Sequence, residues 1–528
     1  MTHAMPYFSL RTQAHGDGHG LAVTDVYGRE GLSQLFEFDV TLEPDASAQS
    51  LVAPREFVHG PGALCFTADG SRAVHGVIVQ ADFTLAQDTG RAVYRLRLVP
   101  ALWRATQAVR SRVYLDMTLP QLLRAVLHET GLAEHDDYVI ALTQTYRARP
   151  YTVQYNESDF DFLARRCEHE GVHFHFQHEE ARTRVVFGDT NGAFAALAES
   201  PLPYDPRDGS HADGAVRSIV QHNALRPRAV ALRDYNESAA RVVANARLAP
   251  VDDTLWTTAQ SGLQSHYGVG ADDDADAARL APMRAEALAV TREQYSGQGQ
   301  STALHPGLRF ALAGHPYPMF EAGMLCLSVV HRAAQGPQDR AAGMARYAHE
   351  FVAIPAAVTY RPPRVTPRPV MPALLPAVVD GPAAGTPAPI DAQGRYHVVL
   401  PFDTVAPATG RKTCPMRLLS PTAGPGYGMH FPLHTGAHVM VAHLHDDPDR
   451  PVLVGALPNP GNVTPITQHH ATRGALVTRA GVRVETDDDG PAWQPAHLAR
   501  AARAAETAAA ATAAAAASPA TTPSGSQR

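Results

Sequence analysis

Two histidines four residues apart, His169 and His173, with Glu170 beside the first, spell H-E-x-x-H. On a helix this spacing offers two imidazoles to a zinc ion and a carboxylate to its bound water, the machinery of a metal-assisted hydrolase. That chemistry needs one unbroken helix through both histidines, because only a 3.6-residue turn stacks positions i and i+4 on one face. The neighbouring residues argue against one. Upstream, Ser158 and Asp161 have the spacing of a capping box, and Phe160, Leu163 and Cys167 recur at helical intervals. Gly171 then stands where a left-handed C-terminal cap belongs. Beyond it Val172, Phe174 and Phe176 alternate with His173, His175 and Gln177, a strand period.

The spacing therefore predicts that His169 closes a helix and His173 opens a strand. A zinc hydrolase built on His169, Glu170 and His173 is kept only as an alternative. No catalytic, metal-binding or cofactor-binding residue is assigned, and no cofactor is expected. His173 and His175 are read as a solvated or interface face, as are His443, His445 and Asp447. Other carboxylate pairs have plain accounts: Glu157 and Asp159 at a helix start, Asp446 and Asp447 in a turn. The run Asp272, Asp273, Asp274 reads as negative charge at a helix N-terminus. The chain has no G-x-S-x-G, no phosphate-binding loop, and no G-x-G-x-x-G after a strand. The expectation is a protein that is not an enzyme.

What elements hold these residues? With 528 residues, 45% hydrophobic and 18% charged, the chain is long enough for several domains, and a net charge of −7 argues against a nucleic-acid partner. Cys65, Cys167, Cys326 and Cys414 lie far apart and read as reduced, mostly buried thiols. The first residues lack a signal-peptide pattern, so the chain is expected to fold in the cytoplasm and to leave it, if at all, by another route. Segments 31–42, 73–83 and 92–100 alternate like half-buried antiparallel strands, and 118–131 reads as an amphipathic helix capped by Thr118 and stopped by Gly131. The strand pair ending at Pro100 has an echo in the pair ending at Pro355, which suggests two related barrels. Nine prolines between Arg361 and Asp391 mark a semi-rigid linker and a domain border. About five short strands follow (RYHVVLPFD, KTCPMRLLS, HFPL, AHVMVAHLH, PVLVGAL), as an OB-type barrel requires. One more strand pair, 475–490, precedes an Ala-rich tail.

The segment YTVQYNESDFDFLARRCEHEGVHFHF, with LSQLFEFDV, HGVI, Pro100-Ala101-Leu102-Trp103, LHPGLRFALAGHP, GRYHVVLPFD and GPGYGMHFPLHTGAHVMVAHLHDDPDRPVLVGALPNP, resembles the VgrG family, the spike proteins of bacterial type VI secretion. The resemblance runs over about residues 20–490, in order. It implies a mainly β chain with small helices: two hub-type β-barrels, an OB-type barrel, a truncated β-prism stub and an Ala-rich helical or disordered tail. The corresponding domains are 1–200, the first hub barrel with inserted helices; 201–360, the second hub barrel; 361–375, the linker; 376–465, the OB-type neck; 466–490, a short spike segment; and 491–528, the tail. The resemblance also implies a homotrimer seated on a hexameric Hcp tube, with baseplate proteins around it and a PAAR-repeat protein at its tip, exported by the type VI machine to puncture a target membrane and carry effectors; the tail itself reads first as an inert extension, with an axial three-helix plug or a docking segment for an effector or adaptor as alternatives. A baseplate hub of a related contractile particle or prophage tail is the alternative. Where the family's long prism repeats would continue, this sequence turns to alanine, so the needle is expected to be short or completed by another protein.

Overall fold

The computed structural model describes residues 6–13, 20–45, 51–86, 90–207, 214–236, 240–248, 262–342, 345–404, 412–461 and 463–489. The Ala-rich tail, about which the sequence makes its helix expectation, lies outside the described residues. Two compact units emerge. The first comprises 1–373 with 402–406 and 443–451; the second comprises 374–401, 407–442 and 452–528.

Alternating sequence becomes sheet over 73–83 and 92–99, whereas in 31–42 residues 32–36 turn the chain between two strands and only 37–42 continue as sheet. In the first unit β1 (Pro6–Thr12), β2 (Leu21–Gly31), β3 (Glu37–Pro44), β4 (Pro61–Thr67), β5 (Ala73–Leu85) and β6 (Ala92–Val99) run in the order β1-β4-β5-β6-β3-β2. The sheet then continues from β2 into the strands Met324–Ala334, Arg346–Pro355, Glu293–Gly299 and Val216–Asn223, so that both halves of the unit share one twelve-stranded curled sheet. β2 joins the halves, with Gly28 opposite His331 and Glu30 opposite Val329. The echo in the sequence is visible in the register. The β5–β6 hairpin slips by one residue between Ile78 and Gln80, and the later hairpin slips between Cys326 and Ser328. In each, the residue just before the slip pairs with the residue two positions before the terminal proline, Leu98 and Ala353 respectively. A bulge in the same place bends each hairpin in the same sense.

Between the two halves are inserted β7 (Val109–Met117), α1 (Leu119–Glu129), β8 (Tyr138–Ala141), β9 (Arg149–Ser158), α2 (Asp159–Glu170), β10 (His173–His178) and β11 (Thr183–Gly188). Thr118 caps α1 through a full box with Gln121, and Leu122, Leu123, Val126 and Leu127 bury its apolar face. They join Phe36, Phe38, Phe66 and Leu98 of the sheet in one core. A separate small core, with Val230, Leu232, Val243 and Leu280, lies between the strands Ala229–Asn236, Arg241–Leu248 and Leu263–Tyr267 and the helix α3 (Asp274–Ala289). Asp273 is the N-cap of α3, accepting from the N–H of Asp276 at 2.8 Å, as its acidic opening predicts.

The second unit holds a four-stranded sheet of Val398–Val399, Leu375–Val379, His438–His443 and Pro451–Ala456, in that order, and a hairpin of Arg473–Val477 with Arg483–Asp487. Two expectations are corrected here. The proline-dense stretch is not linker throughout, because Leu375–Val379 is a sheet strand whose Ala377 and Val379 are buried. KTCPMRLLS and HFPL are not ladder strands; the former makes only isolated bridges, Tyr396 with Met416 and Leu418 with Leu453. Cys65, Cys167 and Cys326 are buried free thiols and Cys414 is half-buried. Among the described residues no helix is long and apolar enough to cross a membrane.

Candidate functional site: the charged junction around α2

The H-E-x-x-H residues fall on two different elements. α2 ends at Glu170, Gly171 adopts φ +69°, and β10 begins at His173. Ser158 Oγ accepts the N–H of Asp161 at 2.9 Å; the reciprocal half of the box is replaced by the Ser158 hydroxyl donating to Asp161 Oδ2 at 2.7 Å. Gly171 is required twice over. An L side chain is strained at that φ, and a Cβ there would stand 3.0 Å from Met283 Sδ and 3.3 Å from Arg361 Cδ.

His169 and His173 therefore face different company. His169 Nε2 lies 3.4 Å from an Arg149 guanidinium nitrogen, and burial followed by the charges of Arg149 and Arg166 pushes its pKa well down. His173 stacks on Phe194 with ring centres 4.4 Å apart, and burial followed by His175 lowers its pKa too. Glu170 is engaged by Arg279 at 2.6 Å. It borders a cavity of about 20 Å³ shared with Met117, Leu119, Tyr146, Arg149 and Arg166, which is room for a water or so and not for a peptide. Among the described residues no group of three or more His, Cys, Asp or Glu side chains is placed to hold a metal ion.

The expectation of a solvated histidine face is also corrected. His173 and His175 are buried at 0% and 5% exposure, because β10 is covered on both sides: Phe36 and Phe160 lie against its Phe176 and Phe174 on one, Phe194 and Gly307 against the imidazoles on the other. His443 and Asp447 are buried as well, while His445 stays exposed.

What the stretch does instead is hold distant chain segments together. α2 is buried along most of its length although it is rich in charge, so each charge needs a partner. Arg165 makes two 2.7 Å contacts to the Glu157 carboxylate and a third to the Val153 carbonyl. Arg166 meets Asp449 Oδ2 at 3.1 Å. Glu168 accepts from Val365 N–H at 3.0 Å and from the Thr366 N–H and hydroxyl at 3.1 and 2.7 Å, which fastens the proline-rich segment. At the C-terminal end, where carbonyls lack helical partners, Arg284 of α3 donates to the Glu168 and His169 carbonyls at 3.1 Å, and Arg361 donates to that of Gly171 at 3.0 Å. The loop 443–451 completes the site: Asp447 binds Arg368 at 2.6 Å, and Arg450 binds the fully buried Asp234 at 2.6 Å. Glu168, Arg284 and Asp449 were missed by motif reading. Their only signal in the sequence is charge at positions where helical or strand periodicity demands burial.

Known proteins match most of the chain. The family described as phage tail baseplate hub matches residues 29–337, and the type VI secretion system/phage-baseplate injector OB domain matches 391–457. The chain belongs to the VgrG family of baseplate-hub proteins. Two Pseudomonas aeruginosa type VI secretion system spike proteins, VgrG4b and VgrG1b, are 32% and 28% identical to it over 85% and 86% of this chain. The chain spans 56% and 61% of those two relatives' lengths. A solved Escherichia coli relative, the type VI component c3393, described as structurally similar to the bacteriophage T4 tail proteins gp27 and gp5, superposes with a TM-score of 0.61 at 25% identity, covering 85% of this chain and all of its own. The curled sheet and the OB unit are thus those of VgrG proteins and phage hubs.

Proposed function

We propose that this VgrG-family chain is a non-enzymatic structural spike at the tip of a type VI secretion tube, working as a homotrimer that punctures a target membrane and carries effectors. The observation that supports this best is the colinear likeness over 85% of the chain to proteins named as type VI spikes. A second observation supports assembly with copies of itself. The second unit leaves Leu419, Tyr427, Met429, Phe431 and Leu457 between 45% and 66% exposed, apolar side chains that a partner surface would cover. In a trimer these residues meet their counterparts. The remaining partners follow from the same reading: a hexameric Hcp tube and baseplate proteins at the hub, a PAAR-repeat protein at the tip, an effector or adaptor at residues 491–528. The chain is assembled in the cytoplasm and then exported by the machine. The domain division at 200, 360, 375, 465 and 490 belongs to this proposal.

The test is mass in solution. Sedimentation of the purified chain should give three times the chain mass, and Tyr427→Glu with Phe431→Glu should give monomers whose circular dichroism is unchanged. A chain that stays monomeric with its tube partner present overturns the reading. The match to a phage baseplate-hub family supports one alternative, the hub of a prophage tail or related contractile particle. Sheath, Hcp and membrane-complex genes beside the coding gene select the first reading; capsid and terminase genes select the second.

A further inference from the structure

Glu30 lies where three parts of the first unit meet. It sits on β2, its side chain is 3% exposed, and each of its oxygens takes one imidazole. His178, the last residue of β10, places Nε2 2.8 Å from Oε1; His331, from the strand Met324–Ala334, places Nε2 3.1 Å from Oε2. Both imidazoles are satisfied on the far side as well. His178 Nδ1 is 2.9 Å from the Thr183 hydroxyl, which already accepts the N–H of His75, and His331 Nδ1 is 2.8 Å from the Tyr347 hydroxyl. This network assigns each neutral ring a proton on Nε2, given to the carboxylate, and a lone pair on Nδ1, taken up by a hydroxyl.

Charged groups and rings enclose the cluster. Around the cluster stand Arg72, whose nearest nitrogen is 3.9 Å from Glu30 Oε2; His305, its ring centre 5.0 Å from that of His178; Cys326 on the same strand as His331; Tyr347; and His349, next along the sheet. Phe36, Phe38 and Phe66 close the remaining sides. Arg72 balances the one carboxylate, so a proton on His178 leaves net positive charge in a site sealed from water. A hydrogen on His178 Nδ1 would also oblige the Thr183 hydroxyl to turn its own hydrogen away and accept instead. Burial first, with Glu30 opposing, already lowers the pKa of His178.

We propose that Glu30, His178 and His331 form a proton-operated latch: proton uptake at His178 frees the β10–β11 hairpin from β2 and disturbs the carboxylate shared with the strand Met324–Ala334, and so loosens the hub in acid while the second unit stays closed. The inference does not depend on the secretion role. It is tested by hydrogen–deuterium exchange of the full chain between pH 7.5 and 4.5, corrected for the intrinsic exchange rate. Exchange in β2, β10 and 324–334 should rise at least tenfold by pH 5, before 375–379 or 473–487 respond. In the double variant His178→Gln, His331→Gln the onset should move down by about one pH unit. An unchanged onset in that variant overturns the proposal. Should the variant not fold, the wild-type order decides: a rise that begins uniformly along the chain, or first in the second unit, overturns it.

Discussion

The Val153 N–H donates to Asp449 Oδ1 at 2.8 Å, joining residues 296 positions apart, while the other oxygen of the same carboxylate holds Arg166. One side chain from the loop 443–451 thus satisfies both a strand donor and a buried helix cation. Asp449→Ala should cost about 3–5 kcal/mol in chemical denaturation, the usual penalty for stranding a buried charge. Asp449→Asn, which keeps an acceptor for Val153, should cost less. Equal losses for the two would remove the charge argument.

Gly171 and Gly131 both have left-handed backbones, at φ +69° and +78°, but only Gly171 is crowded, since nothing lies within 4 Å of a Cβ at Gly131. Alanine at Gly131 should cost about 1 kcal/mol, the conformational strain alone. At Gly171 the cost should exceed that by roughly a further 1–3 kcal/mol, because Met283 and Arg361 must move. Urea midpoints of the two variants check the ranking.

Chelation offers a direct check on the H-E-x-x-H stretch. EDTA should leave the thermal midpoint unchanged, and the purified chain should carry no stoichiometric zinc, since a structural metal would contribute folding energy that chelation removes. Glu170→Gln should instead lower stability by removing one of the two carboxylates that Arg279 holds, the other being that of Asp276.

Acid should weaken the first unit through other histidines too. Burial pushes His175 down to about 4 and His349 down to about 3. Both lie below the unfolded value near 6.5, so the unfolded chain binds more protons and stability falls as pH drops below about 6.5, levelling off only near the folded values. For His175 the loss is about 3 kcal/mol at most. Stability that stays flat from pH 7 to 4 in urea titrations would contradict this.

How far these features were legible depends on their range. The α2–Gly171–β10 boundary could be read from local pattern, because Phe174 and Phe176 alternate immediately after a glycine that ends a helical period. The strand Leu375–Val379 was hidden by Pro372 and Pro376, which look like linker; Pro376 is tolerated near the start of a strand. HFPL was read as strand from composition, yet Phe431 is exposed and makes no ladder. Alternation puts His173 and His175 on one side of a strand but does not show that Phe194 and Gly307 cover that side. The partners of α2 could not be seen at all: Arg166 and Asp449 are 283 residues apart, and nothing local announces such a pair.

That separation also sets an order in time. α2 leaves the ribosome long before the carboxylate that neutralises Arg166 exists, and at about 5–20 residues per second the wait is roughly 15 to 60 s. For that interval a nascent hub has its helix but not the counter-charge that seals it, and a loop translated late makes an early helix final.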